Sequence, residues 1–416
     1  MTVLRERQGV GPGSVHPRRV LAVLALAELL AMAPWFSASA VAPTLSRLWQ
    51  FGSAGTAWLT ISVQLGFVVG ALVSAMLTLA DIWSARRLVA ASAAVAALAT
   101  LGVALAPSPA AVIVLRMLTG VALAGVYPPA MKIAAGWFRE GRGLAIGVLV
   151  GALTLGSALP QLVRWAVPAA YWRPVLVVAA ASAFAGGLLV LLVPHDGPFA
   201  APAPRFSWSA APRILRDRAV RLANLGYLGH MWELYAMWTW IPLFVTESER
   251  ARTGGDPTVS GLPALVTFVV VGSGAVGCWL GGAYADRWGR TTVTSIALAV
   301  SGACSLAVGA MFARPLVVLL PLLLAWGVTV VADSAQFSAA VSELAPRDHV
   351  GTALTLQTSL GFLLTCFTIY LLPWVAARIG WRWSMSVLAL GPAGGVWAML
   401  ALRRRPEALA LAGGRR

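Results

Sequence analysis

The chain has 416 residues, of which 59% are hydrophobic and only 11% charged, with a mean hydropathy of +0.80. Soluble domains are roughly 45–50% apolar and about 25% charged, so this chain has too little charge to cover a soluble globular enzyme. The balance is lopsided, 31 Lys and Arg against 15 Asp and Glu; in a soluble chain that would suggest nucleic acid, in an apolar one it suggests Arg held in cytoplasmic loops.

The first apolar run, 20–39, follows Arg18 and Arg19 and ends near Ala38-Ser39-Ala40, the outline of a signal peptide. It is long for that role and carries Glu28 at its middle, so it is read as an uncleaved span. Runs at 55–79, 87–106, 111–131, 143–163 and 174–193 complete a first group of six. A second group follows at 222–245, 261–283, 292–313, 315–337, 350–374 and 384–402. Each is near the roughly 20 residues that a membrane crossing needs. Between the groups, 194–218 is rich in Pro and Arg and reads as a linker with a short surface segment. The expected fold is an all-α integral membrane protein with twelve transmembrane helices in two pseudo-symmetric six-helix halves. The halves are 1–193 and 219–416, joined by a cytoplasmic linker at 194–218.

Loops on the side of the termini carry 22 Arg or Lys, including Arg5, Arg7, Arg139 and Arg205; the other side carries 8. The positive-inside rule then places both termini in the cytoplasm. The basic residues are 30 Arg and the single Lys132, which together with the abundance of Ala points to a bacterial inner membrane. Cys278, Cys304 and Cys366 each lie in an apolar run and read as core residues, with no disulfide framework and no metal site.

The chain repeats itself. Glu28-Leu29-Leu30-Ala31-Met32-Ala33-Pro34-Trp35 matches Glu233-Leu234-Tyr235-Ala236-Met237-Trp238-Thr239-Trp240 at five of eight positions, 205 residues apart. The same offset carries Asp81 onto Asp286, and an offset of 209 carries Trp172-Arg173 onto Trp381-Arg382. Arg142-Gly143 falls near Val350-Gly351 in the same order, so the chain reads as two copies of a six-span unit.

Gly282-Ala283-Tyr284-Ala285-Asp286-Arg287-Trp288-Gly289-Arg290 lies between the eighth and ninth spans. It resembles the G-x-x-x-D-R-x-G-R signature of the major facilitator superfamily, and the resemblance extends over all twelve spans. That resemblance implies a loop that latches the two halves, with Asp286 facing a neighbouring helix N-terminus, Gly289 turning the chain and Arg287 and Arg290 supplying charge. The first-half counterpart keeps Asp81, Arg86 and Arg87 but has Leu77 and Ser84 for the glycines, so a weaker latch is expected there. Arg116 with Gly120 is similar to the family's R-x-x-x-G motif, in which the Arg is associated with proton coupling; a buried charge is in any case a functional candidate. Span 5 lacks the Gly-Pro-x-x-Gly-Gly hinge of drug–proton antiporters, and its Gly143, Gly147 and Gly151 read as close helix packing.

The sharpest candidates are the mid-membrane acids Glu28 and Glu233, each followed on one helix face by a Met and a Trp: Met32 and Trp35, Met237 and Trp240. Because the family lines its central path with spans 1, 4, 7 and 10, these residues are expected there, with Arg116 from span 4. His230, three residues before Glu233, is placed to pass it a proton. Asp333 and Gln336 in span 10 read as an inner gate or a solute contact; Gln64 and Gln357 are weaker candidates. Span 2 offers Gln64 where nitrate transporters of the family carry a buried Arg, which disfavours inorganic anions. No phosphate-binding loop is present, so ATP is not expected as the energy source, and no cofactor is implied.

These readings converge on a secondary active transporter, not an enzyme. It is expected to move a small organic solute by alternating access, coupled to protons, as a monomer in the lipid bilayer with no nucleic-acid partner. Two alternatives stay open: an organic-anion (carboxylate) symporter anchored by Arg116, and a polytopic membrane enzyme or sensor.

Overall fold

The computed structural model describes residues 16–138, 141–168, 170–200, 206–255, 257 and 261–416. Arg5, Arg7, Arg139 and Arg205, which entered the charge count, lie outside the described residues. Twelve helical passes follow one another. In the first six, α1 runs over Pro17–Met32 and continues as the short pieces Ser37–Ala40 and Ala42–Trp49. Next come α2 (Ser53–Met76), α3 (Ala85–Leu105), α4 (Pro109–Leu123, then Tyr127–Trp137), α5 (Arg142–Ala166) and α6 (Arg173–Val190). In the second six, α7 (Arg218–Thr253), α8 (Leu262–Trp288) and α9 (Arg290–Ala307) precede α10 (Leu316–Ala332, then Ser334–Leu344). Helix Val350–Ser384 holds two passes: Gly380, at φ 77° and ψ 162°, ends α11 (350–379) and starts α12 (381–403). Only α1, which is short, and α7, which carries polar ends, fall outside the nine stretches long and apolar enough to cross a membrane by length and composition.

Local chemistry sets these ends. Asp217 accepts from the N–H groups of Ala219 and Val220 at 3.0 and 2.9 Å and caps α7. Ser108 caps α4 ahead of Pro109. Pro34 interrupts α1, because its ring removes a donor and clashes with the preceding turn. Pro128 and Pro129 do the same at the break in α4.

The two halves are built alike. A methyl group on Gly120 of α4 would strike the Val63 carbonyl of α2; a methyl on Gly327 of α10 would strike the Val270 carbonyl of α8. Both pairs are related by the same 207 residues, so one close helix crossing is used twice. α5 lies along α8 and α2 along α11, which joins the halves on two edges. Exposed apolar side chains such as Leu98, Leu105, Phe184, Val317, Phe367 and Trp397 cover the outside, where a bilayer gives them an apolar partner. The linker docks at both ends. Asp196 accepts from Ala85 N–H at 3.0 Å, the Trp137 indole donates to His195 O at 3.0 Å, and Ser207 N–H donates to Thr352 on α11.

Candidate functional site

Arg116 is fully buried and spends its guanidinium on main-chain oxygens. It donates to Leu59 O at 3.1 Å, to Pro34 O at 2.6 Å and to Trp35 O, with Ser37 Oγ at 3.4 Å. The break at Pro34 turns the Pro34 and Trp35 carbonyls toward Arg116; Pro34 O also accepts from the Ser37 N–H at 3.3 Å and the Ser37 hydroxyl at 2.9 Å. Among the described residues Arg116 pairs with neither Glu28 nor any other carboxylate.

Beside this junction an aromatic layer crosses from one half to the other. Trp35 meets Phe67 of α2 at 5.1 Å, Tyr235 of α7 at 5.8 Å and Phe362 of α11 at 5.7 Å between ring centroids. Phe67 and Phe362 are 4.5 Å apart, and Phe36 packs on Tyr235 and Trp238 at 6.2 and 5.9 Å. Phe36, Ser157, Ala158, Gln161, Trp238, Thr267 and Val271 surround a space of about 10 Å³ between the halves, room for about one water. Glu28, Trp35, Gln64, His230, Glu233, Asp333, Gln336 and Gln357 are all buried.

The two repeat-related acids differ. Glu233 accepts from the Trp326 indole at 2.7 Å and from Ser301 Oγ at 2.8 Å. Glu28, 1% exposed, has no hydrogen-bond partner on either carboxylate oxygen among the described residues. Where the second half has Ser301 and Trp326, the first half has Ala96 and Thr119, found 205 and 207 residues earlier. Ala96 has no donor, and the Thr119 hydroxyl is spent on Leu115 O at 2.9 Å. Glu28 is within electrostatic range of the Tyr127 hydroxyl on α4.

His230 pairs with Asp333 and not with Glu233: its Nδ1 is 2.9 Å from Asp333 Oδ1, both groups buried. Asp333 in turn is within electrostatic range of Glu233. Gln336, one turn beyond Asp333, belongs to a different network, since its Oε1 accepts from Arg290 at 2.7 Å. Trp240 turns away from the aromatic layer; its indole donates to Ile369 O at 3.0 Å and it packs on Trp381. Gln64 and Gln357 are buried amides without partners among the described residues.

The signature loop sits on the face that bears the chain ends. Arg290 forms a fork on Glu343 at 2.8 and 2.6 Å and lies 3.6 Å from Asp286. The Asp286 carboxylate rests against Gly143, where an added methyl would lie 3.0 Å from Oδ2; this puts negative charge at the N-terminus of α5, in the other half. Gly282 packs on Gly143, Gly289 turns at φ 88° against Arg416, and Arg287 is exposed. In the first-half counterpart, Asp81 pairs with Lys132 of its own half, and Arg86 donates to Val193 O and to Pro194 O at the start of the linker.

Sequence reading did not find the aromatic layer. Phe36, Phe67, Tyr235 and Phe362 sit on four spans and look like ordinary apolar residues in each. Ser301, Trp326 and Glu343 were also missed, and only alignment of the two repeats could have drawn attention to the first two.

The profile of the Major Facilitator Superfamily matches residues 24–369. An uncharacterized 38 kDa protein of Thermoproteus tenax is 29% identical over 278 residues, 64% of this chain and 65% of that protein. A gallate transporter of Pseudomonas putida is 25% identical over 310 residues, 65% of this chain and 66% of that protein. The chain therefore spans just under two thirds of the length of these relatives. Among solved structures, the proton:xylose symporter XylE superposes with a TM-score of 0.71 at 15% identity, covering 93% of this chain and 95% of XylE. The nucleoside transporter NupG gives 0.69 at 15% identity, covering 93% and 100%. At such identities these two establish a shared fold. The profile match covers most of the chain, and the signature loop, the repeat and the fold agree with it: the chain belongs to the Major Facilitator Superfamily of membrane transporters.

Proposed function

We propose that this protein is a proton-coupled secondary transporter of a small organic solute, working by alternating access of a site between its two halves. The observation that carries the coupling is Glu28, a buried carboxylate with no cation and no hydrogen-bond donor among the described residues. An unpaired charge at mid-membrane costs roughly 2.5–3.5 kcal/mol or more. Taking up a proton removes that cost, so the sealed state carries the proton and the states open to either side exchange it. The His230–Asp333 pair, 2.9 Å apart, supplies a second buried polar contact in the other half. The excess of Arg on the face of the chain ends supports a cytoplasmic location for both termini, in a bacterial inner membrane. The chain holds two six-helix halves with the site between them, which supports a monomer as the working unit.

The gallate transporter among the relatives supports an organic solute. An anion anchored by Arg116 is less favoured, since four acceptors already occupy that guanidinium. The family and the structural relatives are those of a transporter rather than an enzyme. The test is solute uptake into proteoliposomes with and without an imposed pH gradient. Gradient-driven accumulation in the wild type, lost in Glu28→Gln, supports the reading; equal accumulation in both overturns it.

A further inference from the structure

We propose that the solute held between the halves is a flat aromatic ring bearing hydroxyl or carboxyl oxygens, received by the indole N–H groups of Trp35 and Trp238, the Gln64 amide and the Ser157 hydroxyl. The proposal rests on the transport reading and names its solute class. An indole nitrogen can only donate, and a buried one usually finds an acceptor. Elsewhere in this protein it does: Trp137, Trp232, Trp240 and Trp326 donate to His195 O, Val387 O, Ile369 O and Glu233. Trp35 and Trp238, 1% and 3% exposed, have no acceptor among the described residues, and neither Gln64 nor Ser157 has any partner there.

These groups are not scattered. Trp35 and Trp238 both stack into the aromatic layer through Tyr235, Gln64 is one turn from Phe67 in that layer, and Ser157 shares the small space with Trp238. Three of the four come from the first half and one from the second, so a molecule that satisfies all of them holds the halves together. Buried unsatisfied donors are costly to keep; other buried polar groups also lack partners, but these four are the ones tied to the aromatic layer and the small space between the halves.

The chemistry of the acceptor follows from the donors. Two indoles require oxygens, an amide suits a hydroxyl because it both gives and accepts, and rings of both halves offer flat faces. None of the four groups is negatively charged, so an ammonium gains no partner among them. An aliphatic polyol would satisfy the donors but leave the stacking surfaces unused.

The test uses the purified full-length chain and 4-hydroxybenzoate as the probe, with tyramine and D-xylose as comparison compounds. Thermal unfolding is followed with each compound, and uptake of the same compounds is measured in proteoliposomes. The expected result is stabilisation by 4-hydroxybenzoate alone. Gln64→Leu should raise the unliganded melting temperature, because an unsatisfied amide is removed, while weakening probe affinity about tenfold or more. Trp238→Phe and Ser157→Ala should also weaken it. The proposal is overturned if 4-hydroxybenzoate does not stabilise the protein, or if these variants bind it as well as the wild type does. Gradient-driven uptake of tyramine or xylose without binding of the probe would sink the solute class and leave the transport reading standing. Intact probe binding with no effect of a gradient would do the reverse.

Discussion

The indole nitrogen of Trp326 donates to Glu233 over 2.7 Å, and the position 207 residues earlier holds Thr119, which gives Glu28 nothing. The repeat thus places two acids alike and equips only one of them. Trp326→Phe should strip Glu233 of a hydrogen bond to a buried polar group, a loss of about 1–3 kcal/mol. A lower unfolding temperature in lipid nanodiscs is expected for Trp326→Phe, whereas Glu28→Gln, which removes no bond, should unfold near the wild-type temperature.

Arg116 is predicted to act on the fold. A lysine has no planar fork and cannot serve Leu59 O, Pro34 O and Trp35 O together. Arg116→Lys should therefore cost about 2–4 kcal/mol of stability, by analogy with other broken buried charge networks, and Arg116→Ala more. If calorimetry finds Arg116→Lys as stable as the wild type, the guanidinium is not holding the broken α1.

The latch can be read through a native thiol. Cys278 is buried against α5, 3.9 Å from Thr154 Oγ1, so parting α5 from α8 should expose it. In a Cys304→Ala/Cys366→Ala background, Asp286→Asn should speed alkylation of Cys278 by a membrane-permeant maleimide several-fold, because the charge at the N-terminus of α5 is lost. Asp81→Asn should change that rate little, since Asp81 pairs with Lys132 inside its own half.

His230 and Asp333 should behave as one unit. His230→Gln and Asp333→Asn are each expected to impair gradient-driven transport, and the double variant should be no worse than either single one. The coupling expected for groups in contact is about 0.5–3 kcal/mol. Independent, additive losses would argue that the 2.9 Å contact has no part in turnover.

Much of this architecture is legible in the sequence, because lipid imposes one pattern on every span and the repeat shows it twice. Legibility ends where a property depends on partners from other spans. Trp240 follows Glu233 at helical spacing as Trp35 follows Glu28, yet it packs on Trp381, because α7 stays helical through a stretch where Pro34 breaks α1. His230 lies one turn from Glu233, but the break in α10 at Asp333 brings a closer carboxylate. Arg116 reads as a proton or anion residue until the Pro34 and Trp35 carbonyls are seen around it. The aromatic layer comes from α1, α2, α7 and α11, and nothing within one span announces it.

On this reading Glu28 carries the coupled proton. The most direct test is proton movement during net downhill solute uptake, read with a pH-sensitive dye trapped in proteoliposomes holding wild-type or Glu28→Gln protein. The wild type should move protons together with solute, and Glu28→Gln should take up solute with no change in the dye signal. Equal solute-driven proton movement in both proteins would contradict the account.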